Sequence, residues 1–235
     1  MSTGSGDALM IVDSNVGFNK VDGNVSRLAD YAVTVDSSGT ARATLTITYT
    51  NLSNPVESFC VHQPYYLTDY AELEQGCYWD YARVIAPARS ELIDATRDLG
   101  AAAEALPQGR TEFGGYFVLA RGESKSIHFE YRAPAILKDG SNYILRLEKQ
   151  PGAPTMPVAV NVTLPNGWSV KSVDPSSARV AGNVVELNVT LDRDQDISVA
   201  FERPLPPAAL FSGFSALGLA AGIVLWLYRR RKKRA

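Results

Sequence analysis

The chain has 235 residues, with 23 Lys+Arg against 25 Asp+Glu and a formal net charge of −2 at pH 7. Six of the cations stand together at 229–234, so the body that precedes them is acidic. An acidic body argues against nucleic-acid binding, because phosphate contacts require clustered cations.

Residues 1–23 are interpreted as a lead-in from a missing upstream domain. The opening "MSTGSGDALMIVDS" lacks the basic region and the apolar run of a secretory signal peptide. We therefore expect this chain to be the C-terminal part of a longer protein, or a truncated gene product, whose export signal lies upstream.

Alternating apolar and polar residues predict β-strands through most of the body. "YAVTVD" and "ATLTITYT" form a hairpin around the turn 37–40, and "SIHFEYR", "VAVNVTL", "VVELNVTL" and "ISVAF" repeat the pattern. The predicted fold is all-β, with one or two antiparallel, Ig-like β-sandwich modules. We place a first sandwich at 24–150 and a second, smaller one at 151–203, since three prolines interrupt 148–157. Within the body, only 94–105 has a helical pattern.

The chain has two cysteines, Cys60 and Cys77. In an exported body the compartment favours a disulfide between them, and closing a loop of this size is worth about 3 kcal/mol in the chain-entropy model. Two free thiols, or a metal site completed by His62, are the alternatives.

An aromatic-rich segment surrounds the cysteines, and its rings could stack on sugar rings. These possible ligand-stacking residues are Tyr65, Tyr66, Tyr70, Tyr78, Trp79 and Tyr81. The alternative is that several of them belong to the core. The familiar motifs of serine hydrolases, zinc proteases and phosphate-binding loops are missing from the sequence. We therefore predict no catalytic residue, no metal site and no cofactor.

The stretch 208–228 has no charged residue, and as a helix it would span about 31 Å, close to the thickness of a bilayer core. We predict a proline-rich lead and a transmembrane helix over 204–228, with the lipid bilayer as partner. Gly218 and Gly222 form a G-x-x-x-G pair that could support a weak homodimer, although glycine is common in membrane helices. A basic cytoplasmic tail, 229–235, follows, and its stop-transfer residues are Arg229, Arg230, Arg231, Lys232, Lys233 and Arg234. The predicted localisation is the cell membrane, with a single-pass C-terminal anchor, the body extracytoplasmic and the tail cytoplasmic. A cell-wall sorting signal is an alternative reading of the same pattern.

Three ordered motifs carry a resemblance to a known family. The first is a D-x-N-x-G-x-N-K stretch followed by "R…Y.V", formed by Asp13, Asn15, Gly17, Asn19, Lys20, Arg27 and Tyr31. The other two are "CYWDYARVIAPARSEL" and "LEKQPGAPTMPVAVNVTLPNGWSV". Together they resemble the C-terminal part of the bacterial family known as domain of unknown function 4012. The resemblance implies an uncharacterised cell-envelope protein with a large upstream domain, and it supplies no catalytic residue.

The leading hypothesis for function is a membrane-anchored, extracytoplasmic and non-enzymatic module that acts as a surface stalk or a partner-binding domain. One alternative is the accessory half of a cell-envelope enzyme whose catalytic domain lies upstream. The other is a glycan-binding module. The expected partners are accordingly an envelope protein or a glycan, and not a nucleic acid.

Overall fold

The structure is a computed structural model that describes residues 6–55, 59–64, 69–107, 109–134, 136–138 and 140–204. Residues Met1–Glu202 form one compact unit. Arg203–Ala235 form a second, of which only residues 203 and 204 are described.

Strands dominate the described chain, as the alternating sequence predicts. They are β1 (Asp7–Val12), β2 (Val25–Val35), β3 (Ala41–Asn51), β4 (Tyr78–Ala86), β5 (Glu91–Ala95), β6 (Ala102–Ala105), β7 (Thr111–Leu119), β8 (Ser124–Ala133), β9 (Leu137–Lys138), β10 (Asn142–Glu148), β11 (Met156–Thr163), β12 (Ser169–Asp174), β13 (Arg179–Ala181), β14 (Val184–Leu191) and β15 (Gln195–Glu202). The helical elements are short: the α-helix α1 (Tyr70–Leu73) and two 3-10 helices, Val21–Asn24 and Arg97–Leu99.

The strands form two sheets. Sheet A has eight strands in the order β12-β15-β10-β1-β4-β7-β6, with β9 paired to β10. Sheet B has seven, in the order β13-β14-β11-β2-β3-β8-β5. Most neighbours are antiparallel, but β1 pairs with β10 and β2 pairs with β11 in parallel. The expectation of purely antiparallel sheets is therefore wrong at these two pairs. Each pair joins strands that are distant in sequence, so local patterning does not predict it.

Period-two alternation buries one side of each central strand. In β3 the inward residues Leu45, Ile47 and Tyr49 are fully buried, while the intervening threonines face outward. The predicted hairpin is present, with Gly39 at a φ of 86° in the turn between β2 and β3. The inward side chains of both sheets belong to one continuous apolar core, so the prediction of a β-sandwich is confirmed.

Both sheets take strands from either side of the domain boundary that we predicted at 150 and 151. In sheet B, β11 and β14 extend the β2–β3 hairpin, and in sheet A, β15 pairs with β10. The strands of the two predicted sandwiches are therefore shared between the same pair of sheets.

The predicted helix at 94–105 is wrong. This stretch contains the end of β5, one turn of 3-10 helix and β6, which pair with β8 and β7. Gly100 has a φ of 59° and separates the turn from β6. The helical propensity of the alanines is a weak preference, and sheet pairing at both ends overrides it.

The fold prediction is also corrected at its C-terminal element. Within the described ranges, no helix combines the length and the apolar character that crossing a membrane requires. The same finding corrects the predicted single-pass localisation. The segment 204–228 on which the anchor was predicted is outside the described residues from 205 onward, and so are Gly218, Gly222 and the basic block 229–234.

Candidate functional site

The predicted disulfide joins Cys60 to Cys77 and is confirmed. It ties the segment 59–64 to the residue just before β4. This finding excludes the two alternatives, which were free thiols and a thiolate metal site with His62, because both sulfurs are in the bond. We call this part of the sandwich the tethered end.

A groove of about 500 Å³ opens at the tethered end, between the segment 59–61, helix α1 and the start of β4. Asp69 caps the N-terminus of α1, where its side chain accepts a hydrogen bond from the Ala71 N–H at 2.9 Å. The residues that line the groove are Asn19, Phe59, Val61, Ala71, Glu72, Leu73, Gln75, Gly76, Cys77, Trp79 and Arg121. Its volume falls in the range of about 300–1,000 Å³ that is typical of small-molecule sites.

A row of rings, which we call the aromatic strip, continues from the groove across the surface. It consists of Phe18, His62, Trp79 and Tyr116, with neighbouring ring centroids 5.1, 4.7 and 6.4 Å apart. The His62 ring nitrogen Nε2 lies 2.9 Å from the carbonyl oxygen of Val16, which holds the imidazole against Trp79. Since Phe18 and Tyr116 remain 48% and 37% exposed, the strip presents apolar surface to solvent.

The predicted stacking residues occupy different environments in the structure. Tyr78 is fully buried in the core, whereas Tyr70 is exposed on α1. Trp79 lines the groove and belongs to the aromatic strip. Tyr65 and Tyr66 lie outside the described residues.

Tyr81 lies across a glycine on the outer face of sheet A. A Cβ atom built on Gly114 would approach the Tyr81 ring atoms within 2.9 Å and its hydroxyl oxygen at 2.5 Å. Only a glycine on β7 therefore lets the ring rest on the backbone. The ring is 37% exposed, so it can present a surface to a ligand.

The D-x-N-x-G-x-N motif builds the loop that supports Trp79. Asn15 Nδ2 donates to Asn19 Oδ1 at 3.0 Å, and Asn19 Nδ2 donates to the Cys77 carbonyl at 2.9 Å. A Cβ on Gly17 would lie 3.0 Å from Trp79 Cδ1, so the glycine permits close approach to the indole. The residues of this motif thus act in the structure by positioning the groove.

Beneath this loop lies a buried charge cluster centred on Arg27, whose side chain is 5% exposed. Its guanidinium Nε donates to Asp13 Oδ2 at 2.5 Å, and Nη2 donates to Asp22 and to the Tyr78 hydroxyl. Asp13 also accepts from the Tyr49 hydroxyl at 2.7 Å. Burial opposes the charge of Arg27, but the neighbouring charge of Asp13 outweighs it and raises the pKa of Arg27, so the guanidinium stays charged.

The first and third motifs of the resemblance meet at this cluster. The Asp13 N–H donates to Gln150 Oε1, and Gln150 Nε2 donates to the Asp13 carbonyl, both at 2.9 Å. The segment "KQPG" is thereby joined to the D-x-N-x-G-x-N-K loop, although the two are far apart in sequence.

Asp80 is fully buried on the inward side of β4, beside this cluster. Neither carboxyl oxygen makes a well-formed hydrogen bond among the described residues, although the Tyr78 side chain and the Ser14 backbone are close enough to lower its pKa in part. Burial, followed by the charge of Asp13, raises the pKa of Asp80 to about 8, so the carboxyl is mostly protonated at neutral pH. Sequence analysis missed it, although a carboxylate at an inward position of an alternating strand is a visible signal.

A second buried carboxyl, Asp7, lies between the sheets. Its Oδ2 accepts from the hydroxyls of Tyr143 at 2.6 Å and Tyr31 at 2.9 Å, and the Tyr31 hydroxyl also contacts that of Tyr131. Burial raises the pKa of Asp7 despite these hydrogen bonds. This cluster joins strands from both sheets, and we assign it a structural role.

No family model matches the chain. The search of curated proteins also finds no match. The similar solved structures include a Legionella pneumophila protein named as a nutrient binding protein, with 8% identity, a TM-score of 0.46, and coverage of 83% of this chain and 71% of that one.

Two similar structures are enzymes. The M1 zinc metallopeptidase of Deinococcus radiodurans is 10% identical with a TM-score of 0.39, and the match covers 75% of this chain and 42% of that one. The leukotriene A4 hydrolase of Saccharomyces cerevisiae is 9% identical with a TM-score of 0.41, and the match covers 79% of this chain and 31% of that one. The chain spans less than half the length of either enzyme, and likeness at these TM-scores carries no argument about function.

Proposed function

We propose that this protein is a non-catalytic binding module that holds its ligand in the groove at the tethered end. The observation that carries the proposal is the groove itself, whose walls are fixed before any ligand arrives. The disulfide restrains one wall, and the Asn15–Asn19 loop positions Trp79 in another. A preformed concave site that brings apolar side chains and polar groups together is typical of ligand binding.

The contrast between the two outer faces supports the proposal. On sheet B, threonines and serines form cross-strand hydrogen bonds, such as Thr48 to Ser126 at 2.8 Å and Thr50 to Ser124 at 2.9 Å. On sheet A, the exposed rings of the aromatic strip lie beside the groove. Exposed aromatic surface of this kind marks interaction sites. The large apolar residues exposed on the described strands of sheet B are aliphatic instead, namely Leu28, Ile93 and Val180.

The chemistry of the groove supports a non-catalytic role. Among its described lining residues, Glu72 and Arg121 are the ionisable ones, since Cys77 is held in the disulfide. The buried carboxyls Asp7 and Asp80 are not among the residues that line it. The hypothesis of an accessory half of an envelope enzyme, and membership of the resembled family, stay predictions.

A ligand screen with a blocked groove tests this proposal. Ala71 is an exposed lining residue on α1, so Ala71→Arg should fill the groove without disturbing the core. We expect compounds that shift the NMR signal of the Trp79 indole in the wild type to lose binding in Ala71→Arg. They should bind normally to Thr44→Arg, a control on the outer face of sheet B. Binding that survives Ala71→Arg would refute the proposed site.

A second candidate function is glycan binding, which Tyr81 favours. Its ring lies over Gly114, and an exposed ring on a rigid strand can stack on the apolar face of a sugar. A glycan array probed with wild type, Tyr81→Ala and the control Tyr70→Ala tests this candidate. We expect signals that Tyr81→Ala alone removes, whereas equal signals from all three proteins would reject stacking at Tyr81.

A further inference from the structure

The groove contains two opposite charges that do not neutralise each other. Arg121 lies in the turn between β7 and β8, where its Nη2 donates to the Gln75 carbonyl oxygen at 3.1 Å. Glu72 lies on the exposed side of α1. Over the described ranges, neither side chain takes part in an ion pair, so both can serve a ligand.

The remaining wall of the groove is apolar and unusually accessible. Phe59 is 96% exposed and Val61 is 48% exposed, and both line the groove together with Leu73 and Trp79. A ligand that covered these side chains would gain about 25 cal/mol for each Å² of apolar surface removed from water. The ligand therefore needs an apolar part as well as charged groups.

We propose that the groove binds an apolar zwitterion of the size of an amino acid or a dipeptide, an inference that rests on the proposed function of the groove. Its carboxylate would pair with Arg121, whose planar guanidinium suits a carboxylate, and its ammonium would face Glu72. Its apolar side chains would cover Phe59 and Trp79. A simple anion would meet the charge of Glu72, a simple cation would meet Arg121, and a neutral apolar ligand would bury both charges without partners.

Isothermal titration calorimetry on the full chain tests the charge requirement directly. The probes are leucyl-phenylalanine, its N-acetyl derivative, its C-terminal amide and free phenylalanine. We expect the amide and the N-acetyl derivative each to bind about tenfold or more weakly than the zwitterion, since a hydrogen bond to a charged group is lost. Free phenylalanine, which carries the same two charges on a shorter body, decides whether the amino acid or the dipeptide binds more tightly.

Variants of the two charged residues assign each end of the ligand. Arg121→Gln should erase the preference for the free acid over the amide, and Glu72→Gln should erase the preference for the free amine over the N-acetyl form. Arg179→Gln on the exposed strand β13 is the matched control and should change neither. Equal binding of all four probes, or preferences that persist in both variants, would overturn the inference. Failure of every zwitterion to bind would also overturn it, while hits that Ala71→Arg removes in the ligand screen would still uphold the groove.

Discussion

Replacement of Asp80 by Asn should change how the stability of the protein depends on pH. The carboxyl is fully buried, makes no well-formed hydrogen bond among the described residues and lies near the charge of Asp13. Its pKa of about 8 in the folded protein compares with an ordinary value of 3.8. Asn has nearly the same shape and cannot ionise, so Asp80→Asn removes the titration and keeps the packing.

The sign of the effect follows from the two protonation states. At a pH below the ordinary carboxyl pKa, Asp80 is protonated in both the folded and the unfolded chain, so it does not make the unfolding free energy depend on pH. Between that value and about pH 8, the unfolded chain ionises while the folded chain keeps its proton, and each pH unit costs about 1.4 kcal/mol of folding free energy. At pH 7 the cost reaches about 4 kcal/mol, and above the folded pKa it stays constant.

Urea denaturation at a series of pH values from 4 to 9 measures this cost. We expect the unfolding free energy of Asp80→Asn, minus that of the wild type, to rise with pH up to about 8 and then level off. The unpaired amide of Asn adds a pH-independent penalty of about 1–3 kcal/mol, so the slope of the difference carries the test. Asp30→Asn, at an exposed position of β2, is the control. A difference that stays flat over this range would show that Asp80 is already ionised in the folded protein.

Three further predictions concern stability. Reduction of the Cys60–Cys77 bond should lower the unfolding free energy by about 3 kcal/mol. The far-ultraviolet circular dichroism spectrum of the sandwich should persist, because the strand-rich regions lie outside the closed loop. Loss of the whole β-spectrum at 25 °C would contradict this. Arg27→Met should cost about 3–5 kcal/mol in chemical denaturation, because it leaves the buried carboxylate of Asp13 without its ion pair. A cost below about 1 kcal/mol would show that this ion pair is solvated. Gly114→Ala should lower the unfolding free energy by about 1–3 kcal/mol, because the added methyl group displaces the Tyr81 ring. The displacement should shift the ring resonances of Tyr81 in NMR spectra. Unchanged resonances would mean that the ring does not rest on the glycine.

Local patterning predicted much of the fold, because alternation is a property of neighbouring residues. The β2–β3 hairpin and the inward sides of β3, β8 and β11 follow from period two and one glycine turn. The order of strands does not follow from it, since the pairing of β1 with β10 depends on contacts between residues far apart in the chain. The stretch 94–105 shows the limit of propensity, because the partners that make it a strand are supplied by β7 and β8.

The candidate site, too, could be predicted from the sequence only where its residues are neighbours in the chain. The disulfide could be predicted, because both cysteines lie within one continuous stretch of sequence. That stretch also contains Trp79, which lines the groove, whereas its role in stacking on a ligand stays a prediction. Phe18, Tyr116 and Arg121 could not, because the pairing of β4 with β7 and the folding of the N-terminal loop bring them to Trp79. Asp80 is an intermediate case. The alternation of β4 predicts that its side chain points inward, but the sequence does not predict which charged residues surround it.

The central position of β1 has a consequence for the kinetics of folding. This strand lies between β10 and β4 in sheet A, with Leu9 opposite Leu147 and Ile11 opposite Val84. Neither neighbour is close to it in the chain, so β1 can be incorporated only after long loops have closed, at an entropic cost that precedes the gain from pairing. We therefore expect refolding on a timescale of about milliseconds to seconds, as for other sandwiches with many non-local pairs. Until β10 docks, the open edges of β1 and β4 can pair with another chain, so refolding yield should fall as protein concentration rises.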